Sequence, residues 1–229
     1  MASCMPWPTT FSLNTSRMCL WVGNMRVIIE GNIGCGKTTV LQALAGAFPH
    51  AHVVPEPVEQ WSEELELFRR DPDVWALPFS LRVLLAHQKN ARHGTTPDSL
   101  ALFERSPLST RHVFTQLLFN DGTMPAHHWN LFREYYDVLG WEPGEHDVIL
   151  FIDTPVNKCL ERIQARGSID DQRLDVHALR RIEFQYHTLL KFCAATVLTV
   201  SGEAPRDRVA ADAVHALTSH IASCVTCKN

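Results

Sequence analysis

Residues 31–38 read GNIGCGKT and match the spacing G-x-x-x-x-G-K-[ST], with an apolar run before them and a helical pattern after them. Glycines at these positions let backbone N–H groups turn inward around phosphate oxygens, at the positive end of the following helix. Lys37 would then reach the β- and γ-phosphates, and the Thr38 hydroxyl would bind Mg²⁺. The pattern predicts a binding site for the phosphates of a nucleoside triphosphate. Its members are Gly31, Asn32, Ile33, Gly34, Cys35, Gly36, Lys37, Thr38 and Thr39.

A second candidate for chemistry is Glu56, which lies between two prolines in the stretch VVPEPVEQW, residues 53–61. Proline fixes its own φ and keeps the preceding residue out of the α region, so this carboxylate sits on stiff, extended backbone. Glu56, Glu104–Arg105 and Asp153 each follow a predicted strand, and the carboxyl ends of parallel strands converge on the ligand crevice. A carboxylate facing the γ-phosphate is what phosphoryl transfer to a hydroxyl requires. The alternatives are an ordinary loop carboxylate, an ion pair with Arg105, and a helix N-cap at Asp153.

These residues must be positioned by strands and helices, and the apolar pattern predicts both. The predicted strands are residues 25–30, 53–54, 100–103, 148–152 and 196–200. The predicted helices are residues 38–48, 61–70, 72–92, 106–120, 127–139, 155–166, 175–193 and 205–221. Strands that alternate with helices form a parallel sheet covered on both faces, so we expect an α/β fold with five parallel strands.

The composition of the 229 residues suits one domain, which we place at residues 25–221. Residues 1–24 contain no Asp or Glu and are predicted to be a disordered extension, and residues 222–229 to be a tail. The net charge of −4 argues against a nucleic-acid partner, and no apolar stretch approaches the roughly 20 residues of a membrane span. Seven cysteines without a pairing framework disfavour a secreted protein. We expect a cytoplasmic location; mitochondrial import has weaker support in the extension.

The ordered set of motifs resembles the deoxynucleoside kinase family, which includes deoxycytidine, deoxyguanosine and mitochondrial thymidine kinases and, more distantly, herpesvirus thymidine kinases. The motifs are GNIGCGKTT at 31–39, E-P-x-x-x-W at 56–61, WALPF at 75–79, FERS at 103–106 followed by Arg111, G-x-M-P at 122–125 and R-x-x-x-R-G at 162–167. The resemblance covers residues 25–200. It implies a P-loop kinase fold with a short lid, ATP with Mg²⁺ as donor, a small-molecule deoxynucleoside as acceptor, and a homodimer.

The resemblance also implies roles for the candidate residues. Glu56 would accept the proton of the sugar 5′-hydroxyl, and Arg105 would hold the general base and the reacting oxygen. Glu104 would help to hold Mg²⁺. Arg162 and Arg166 would neutralise charge on the moving phosphoryl group beside the lid, although a solvated helix face is the alternative. The implied walls and contacts of the nucleoside site are Trp61, Arg69, Phe79, Ser80, Thr110, Phe114 and Asp171.

Four of these positions differ from the residue that all or some members of the family have. Ser80 replaces the glutamine that makes paired hydrogen bonds to the base, and its single hydroxyl cannot make them, so Gln60, His87 or water would have to. Arg69 replaces a tyrosine on the 3′-hydroxyl; it either points into solvent or reaches an acceptor phosphate. Asp171 stands for a glutamate. The small, uncharged Thr110 stands where deoxycytidine kinases have an aspartate, which favours thymidine.

We therefore predict an ATP-dependent deoxynucleoside 5′-kinase, a thymidine kinase of relaxed specificity that also accepts deoxycytidine and serves nucleotide salvage. A thymidylate-type monophosphate kinase shares the fold and the phosphate loop, and is the first alternative. A catalytically silent structural subunit is the second. Retention of Lys37, Glu56 and Arg105 argues against a silent protein.

Overall fold

A computed structural model describes residues 25–93, 100–167 and 174–226 of the chain. Its centre is one parallel sheet with the strand order β2-β3-β1-β4-β5. The strands are β1 Arg26–Gly31, β2 His52–Val54, β3 Ala101–Glu104, β4 Val148–Asp153 and β5 Thr196–Ser201. The predicted five-stranded parallel sheet is confirmed, and each strand end differs from the prediction by one residue at most.

Helices cover both faces of this sheet, as predicted. They are α1 Lys37–Ala47, α2 Ser62–Arg70, α3 Pro72–His93, α4 in three consecutive pieces (Pro107–Ser109, Thr110–Thr115 and Gln116–Asn120), α5 Ala126–Leu139, α6 Val156–Arg166, α7 Val176–Phe192 and α8 Arg206–Thr226. A 3₁₀ turn, Val58–Trp61, leads into α2. Among the described residues, no helix has the length and apolarity needed to cross a membrane.

Alternating side chains of the strands build two separate cores. Val27 and Ile29 of β1 pack with α1 and α8 on one face of the sheet. Ile28, between them, packs with α4 and α7 on the other face. Side chains of a strand alternate between faces, and a strand with helices on both sides is apolar throughout, which is why β1 reads as a continuous apolar run. A third cluster joins α3 to α5 beside the sheet.

Two helices differ from their predicted form. The helix predicted over 106–120 contains a π-helical segment, Thr110–Thr115. At its start the hydroxyls of Ser109 and Thr110 both donate to the Ser106 carbonyl, at 3.2 and 3.3 Å, and such side-chain donors compete with regular helix bonds. The last helix continues to Thr226, beyond the predicted end at Ile221.

Three features of the sequence lie outside the described residues. They are the predicted N-terminal extension, the sugar-site candidate Asp171, and Cys227 of the C-terminal C-x-x-C. The proposed domain boundaries remain predictions.

Candidate functional site

The phosphate loop joins the end of β1 to the start of α1, as its spacing predicts. Gly34 and Gly36 have φ angles of +80° and +105°, which glycine adopts without steric cost. At Gly34 an added Cβ would lie 2.6 Å from the Cys159 carbonyl oxygen of α6, so the loop packs directly on neighbouring backbone. Asn32 fixes the first half of the loop: its Nδ2 donates to the Leu179 carbonyl at 2.8 Å. Ile33 and Thr39, at the two sides of the loop, are half-buried.

Lys37 is the first residue of α1, and only 6% of it is exposed. Its Nζ donates to the carbonyl oxygens of Asn32 and Gly31, at 2.9 and 3.3 Å, so the ammonium lies inside the curve of the loop. An ammonium there, beside the free N–H groups of a helix start, forms an anion site. The arrangement suits the phosphates of a nucleotide.

Thr38 and Glu104 lie together beside the phosphate loop. The Thr38 hydroxyl donates to Glu104 Oε1 at 2.8 Å, which brings α1 and the end of β3 together. Mg²⁺ prefers oxygen ligands and is usually held by one or two carboxylates together with substrate phosphates and water. A hydroxyl and a carboxylate beside a phosphate loop fit that donor set. Among the described residues no group of three or more His, Cys, Asp or Glu could hold a metal without such help.

Glu56 and Arg105 form an ion pair beside the loop. Arg105 Nε lies 3.0 Å from Glu56 Oε1 and 3.1 Å from Oε2, and the Glu56 side chain is 21% exposed. Burial alone raises the pKa of the Glu56 carboxyl, but Arg105 and Lys37 outweigh it and bring the pKa below its ordinary value. The carboxylate is therefore ionised at neutral pH and near the phosphate-loop ammonium. It can accept a proton from a hydroxyl placed between it and a phosphate.

Arg105 has an unusual backbone. Its φ of +63° is the left-handed conformation, and no other non-glycine residue in the described ranges has a positive φ. This conformation costs a residue with a Cβ about 1–2 kcal/mol, and it is found mostly where surrounding contacts enforce it. Here the Phe114 ring lies 4.7 Å below the guanidinium carbon. The strained backbone aims the side chain across the end of the sheet.

Rings from three elements lie near the Glu56–Arg105 pair, on the side where the nucleoside site was predicted. Trp61 of the 3₁₀ turn is buried, and its ring centroid lies 5.3 Å from that of His87 on α3. Phe114 of the π-helical segment covers Arg105 from the other side. Burial lowers the pKa of His87 to about 4, although Glu56 opposes the shift, so this imidazole is neutral and close to the Glu56 carboxylate. Trp61 thus packs against His87 and Phe114 against Arg105, while their role as walls of a base pocket stays a prediction.

The remaining predicted contacts lie farther along the same helices. Phe79 on α3 stacks on Phe68 of α2, with ring centroids 5.1 Å apart. Ser80 is buried and lies seven residues before His87 on that helix, about two turns away. Thr110 is also buried and donates to the Ser106 carbonyl. Arg69 is half-buried in the last turn of α2, so it does not extend fully into solvent.

The two arginines of α6 differ in their surroundings. Arg162 donates to the Cys35 carbonyl of the phosphate loop at 3.1 Å and to the Gly202 carbonyl at 2.9 Å. Arg166, one turn later, is exposed. Arg162 thus contacts the phosphate loop directly, while Arg166 is the last residue of α6, and the predicted short lid beside it stays a prediction.

Sequence reasoning missed two polar residues of the site, Glu30 and Tyr186. Glu30 is the second-last residue of β1, and Tyr186 lies on α7. Both are buried, and the Tyr186 hydroxyl donates a hydrogen bond to Glu30. A charged residue at the end of the apolar run MRVIIE was the available signal for Glu30. Tyr186 gave none, because it looks like an apolar helix position.

A parallel sheet with a phosphate loop at the end of its first strand, and a paired carboxylate beside that loop, define a P-loop kinase fold. The sequence profile of the family described as "Deoxynucleoside kinase" matches residues 27–225, so the chain belongs to the deoxynucleoside kinase family. It is a phosphotransferase with an alcohol acceptor. The resemblance stated from the motifs is confirmed.

Individual relatives come from animals and viruses. Deoxycytidine kinase 2 of Gallus gallus is 26% identical over 194 residues, which cover 72% of this chain and 73% of that protein. The thymidine kinase of Ictalurid herpesvirus 1 (strain Auburn) is 30% identical over 169 residues, covering 71% and 72%. The putative kinase protein 029R of Invertebrate iridescent virus 3 is 29% identical over 183 residues, covering 80% and 91%.

Proposed function

We propose that the protein is an ATP-dependent deoxynucleoside 5′-kinase that prefers thymidine, also accepts deoxycytidine, and serves nucleotide salvage for DNA synthesis. The observation that carries this proposal is the Glu56–Arg105 pair beside the phosphate loop. Both carboxylate oxygens lie within 3.1 Å of Arg105 Nε, and Lys37 is near enough to lower the pKa of Glu56. An ionised carboxylate facing a phosphate site supports transfer to a hydroxyl.

On the acceptor side, Glu56 takes the proton of the 5′-hydroxyl as the 5′-oxygen of the nucleoside attacks the γ-phosphorus. The new O5′–P bond forms while the bond from the γ-phosphorus to the β,γ-bridging oxygen breaks, and ADP leaves. Arg105 keeps the Glu56 carboxylate ionised and oriented for this transfer. The reaction gains little from covalent chemistry by the protein, so positioning and charge compensation supply most of the rate.

On the donor side, Lys37 and the loop N–H groups hold the β- and γ-phosphates. Arg162, already bonded to the loop carbonyl of Cys35, compensates the charge that develops on the transferred group, together with Arg166. Thr38 and Glu104 would hold Mg²⁺, which would supply positive charge to compensate the charge of the phosphates.

The preference for thymidine is supported by the chemistry of the pocket. Thr110 brings no charge to the base, and Ser80 offers one short hydroxyl. His87 on α3 is a buried, neutral ring against Trp61, and its two ring nitrogens, one a donor and one an acceptor, can hydrogen-bond a base edge. The deoxycytidine kinases and the herpesvirus thymidine kinase among the relatives support the same pair of acceptors.

The test is an ADP-release assay with ATP, Mg²⁺ and each of the four natural deoxynucleosides, with thymidylate as a fifth acceptor. Thymidine should give the highest kcat/KM. Glu56→Gln should lower kcat by about 10²–10⁴-fold while ATP binding survives, because it removes the general base. Glu59→Gln is the matched control, since Glu59 is an exposed carboxylate three residues away. Full activity in Glu56→Gln would refute the mechanism, and thymidylate as best acceptor would favour the monophosphate kinase.

We further propose that the protein forms a homodimer through α5. Leu131, Tyr135 and Val138 lie on one face of this helix and are 41%, 50% and 84% exposed. Apolar side chains at such spacing on a surface helix mark a contact face. Light scattering should report a dimer for the wild type and a monomer for Val138→Glu. A monomeric wild type would overturn this proposal without touching the proposed reaction.

A further inference from the structure

Arg105 has two carboxylates as neighbours, and the proposed reaction uses only one of them. The second is Glu30, at the end of β1, which is 1% exposed. Its Oε1 accepts from the Ser106 hydroxyl at 3.0 Å, and its Oε2 accepts from the Tyr186 hydroxyl at 2.9 Å. The same Tyr186 oxygen accepts from Arg105 Nη1 at 2.6 Å. A continuous hydrogen-bonded chain therefore runs from Glu30 through Tyr186 and Arg105 to Glu56.

The register of the sheet explains why the two carboxylates flank one arginine. Strand β3 lies between β2 and β1, and Val54 and Ile28 are both paired with Phe103. Glu56, Glu30 and Arg105 each lie two residues after Val54, Ile28 and Phe103, respectively. They are therefore level with one another at the carboxyl edge of the sheet. Glu30 and Glu56 could each pair with the guanidinium, and Tyr186 lies between the guanidinium and Glu30.

The Tyr186 hydroxyl lies between Arg105 and Glu30, so that Arg105 pairs directly with Glu56 and only indirectly with Glu30. Burial raises the pKa of Tyr186 well above its ordinary value, so the hydroxyl keeps its proton and donates it to Glu30. Its oxygen then accepts from Nη1, which leaves Nε free for Glu56. Phe114 closes the face of the guanidinium, so the side chain is fixed at three places. A buried ionic network of this kind is weak evidence for stability, because its desolvation cost offsets the attraction.

We propose that Tyr186 and Glu30 are positioning residues of the kinase reaction, which hold Arg105 so that its Nε faces Glu56. This proposal rests on the roles of Glu56 and Arg105 in the proposed function. Without the Tyr186 hydroxyl, Arg105 Nη1 loses its hydrogen-bond acceptor, and the guanidinium no longer has a fixed orientation toward Glu56. Misplacement of a catalytic group by about 1 Å costs on the order of 100-fold in rate.

The experiment compares kcat and KM of the wild type, Tyr186→Phe and Glu30→Gln with those of Tyr136→Phe. Tyr136 is the matched control, because it is a buried tyrosine whose hydroxyl also makes one hydrogen bond as donor, to the Trp141 carbonyl at 3.0 Å, away from the ion pair. Tyr186→Phe should lower kcat at least about tenfold and leave both KM values within about threefold. Tyr136→Phe should leave kcat within about twofold. Should Tyr186→Phe not fold, Glu30→Gln should also lower kcat at least about tenfold, because it removes the carboxylate that holds the Tyr186 hydroxyl against Arg105 Nη1.

A second comparison uses Arg105→Lys, which shortens the side chain and removes Nε. In that background Tyr186→Phe should change kcat by less than about twofold, because its effect passes through the guanidinium. An impaired Arg105→Lys with an unimpaired Tyr186→Phe overturns the positioning network alone. Wild-type kcat in Arg105→Lys overturns the proposed mechanism and the network with it. Equal effects of Tyr186→Phe in both backgrounds also overturn the network.

Discussion

Three glycine-to-alanine substitutions around α1 should separate the forces that shape the phosphate loop. Gly46, near the end of the helix, has open space where a Cβ would be added and no positive φ. Gly36, the N-cap, also has open space but a φ of +105°. Gly34 combines a φ of +80° with a Cβ position 2.6 Å from the Cys159 carbonyl oxygen and 2.9 Å from Ile163 Cγ1. The chemical change is the same, but the three sites differ in backbone strain and in free space.

The expected magnitudes follow from these differences. Gly46→Ala should stabilise the protein by about 0.5 kcal/mol, since alanine restricts the unfolded chain and favours the helix. Gly36→Ala should destabilise it by about 1–2 kcal/mol, which is the cost of a side chain at positive φ. Gly34→Ala adds a clash with backbone that cannot move away, and overpacking costs about 1–3 kcal/mol more. Its total of roughly 2–5 kcal/mol would lower Tm by about 2–4 °C for each kcal/mol.

The assay is thermal unfolding of each variant with and without ATP. Gly34→Ala should also lose most of the stabilisation by ATP, because the shifted loop no longer points its N–H groups inward. Gly46→Ala should keep it. If Gly34→Ala unfolds at the wild-type temperature, or if Gly36→Ala is the less stable of the two loop variants, the reasoning from Cβ clashes is refuted.

Three other predictions concern titration, metal and acceptor. Burial lowers the pKa of His87 to about 4, so between about pH 4 and 6.5 the unfolded chain binds more protons than the folded protein. The free energy of unfolding should therefore rise with pH in this window, by up to roughly 3 kcal/mol. His87→Asn should flatten this rise in urea unfolding, and an unchanged slope would disprove the role of His87. Thr38→Val should raise the Mg²⁺ concentration for half-maximal activity at least about tenfold, whereas Thr38→Ser should restore it; equal requirements would exclude the site shared with Glu104. Arg69→Ala should change thymidine turnover less than about twofold, and a selective loss of thymidylate turnover would instead assign Arg69 to an acceptor phosphate.

The parts of the fold that were predictable are those written locally in the chain. A fully buried strand needs an unbroken apolar run, and β1 and β4 have one. The phosphate loop follows from eight consecutive residues, because its glycines, its lysine and its threonine act within one turn of backbone. The non-helical backbone at Glu56 was also predictable, because the flanking prolines exclude a helix there.

The unpredicted features depend on residues that are distant in sequence. Glu30 and Tyr186 are 156 positions apart, and only the completed packing of α7 on the sheet joins them. The left-handed backbone of Arg105 is enforced by contacts with Glu56, Tyr186 and Phe114, so no local propensity announces it. The π-helical segment has the composition of an ordinary helix, and its hydroxyl bonds to Ser106 become apparent only in three dimensions.

The position of Glu56, the proposed general base, illustrates how both kinds of information combine. Strand β2 has three residues, and within the described sheet it pairs only with β3, so few hydrogen bonds hold the chain that leaves it. The prolines stiffen that chain, but they leave its distance from the phosphate loop undetermined. The parallel register brings Glu56 level with Arg105, and the ion pair then sets the distance. Since Arg105 Nη1 donates to the Tyr186 hydroxyl, which donates to Glu30, the Glu56 carboxylate is oriented only as firmly as this pair holds the guanidinium.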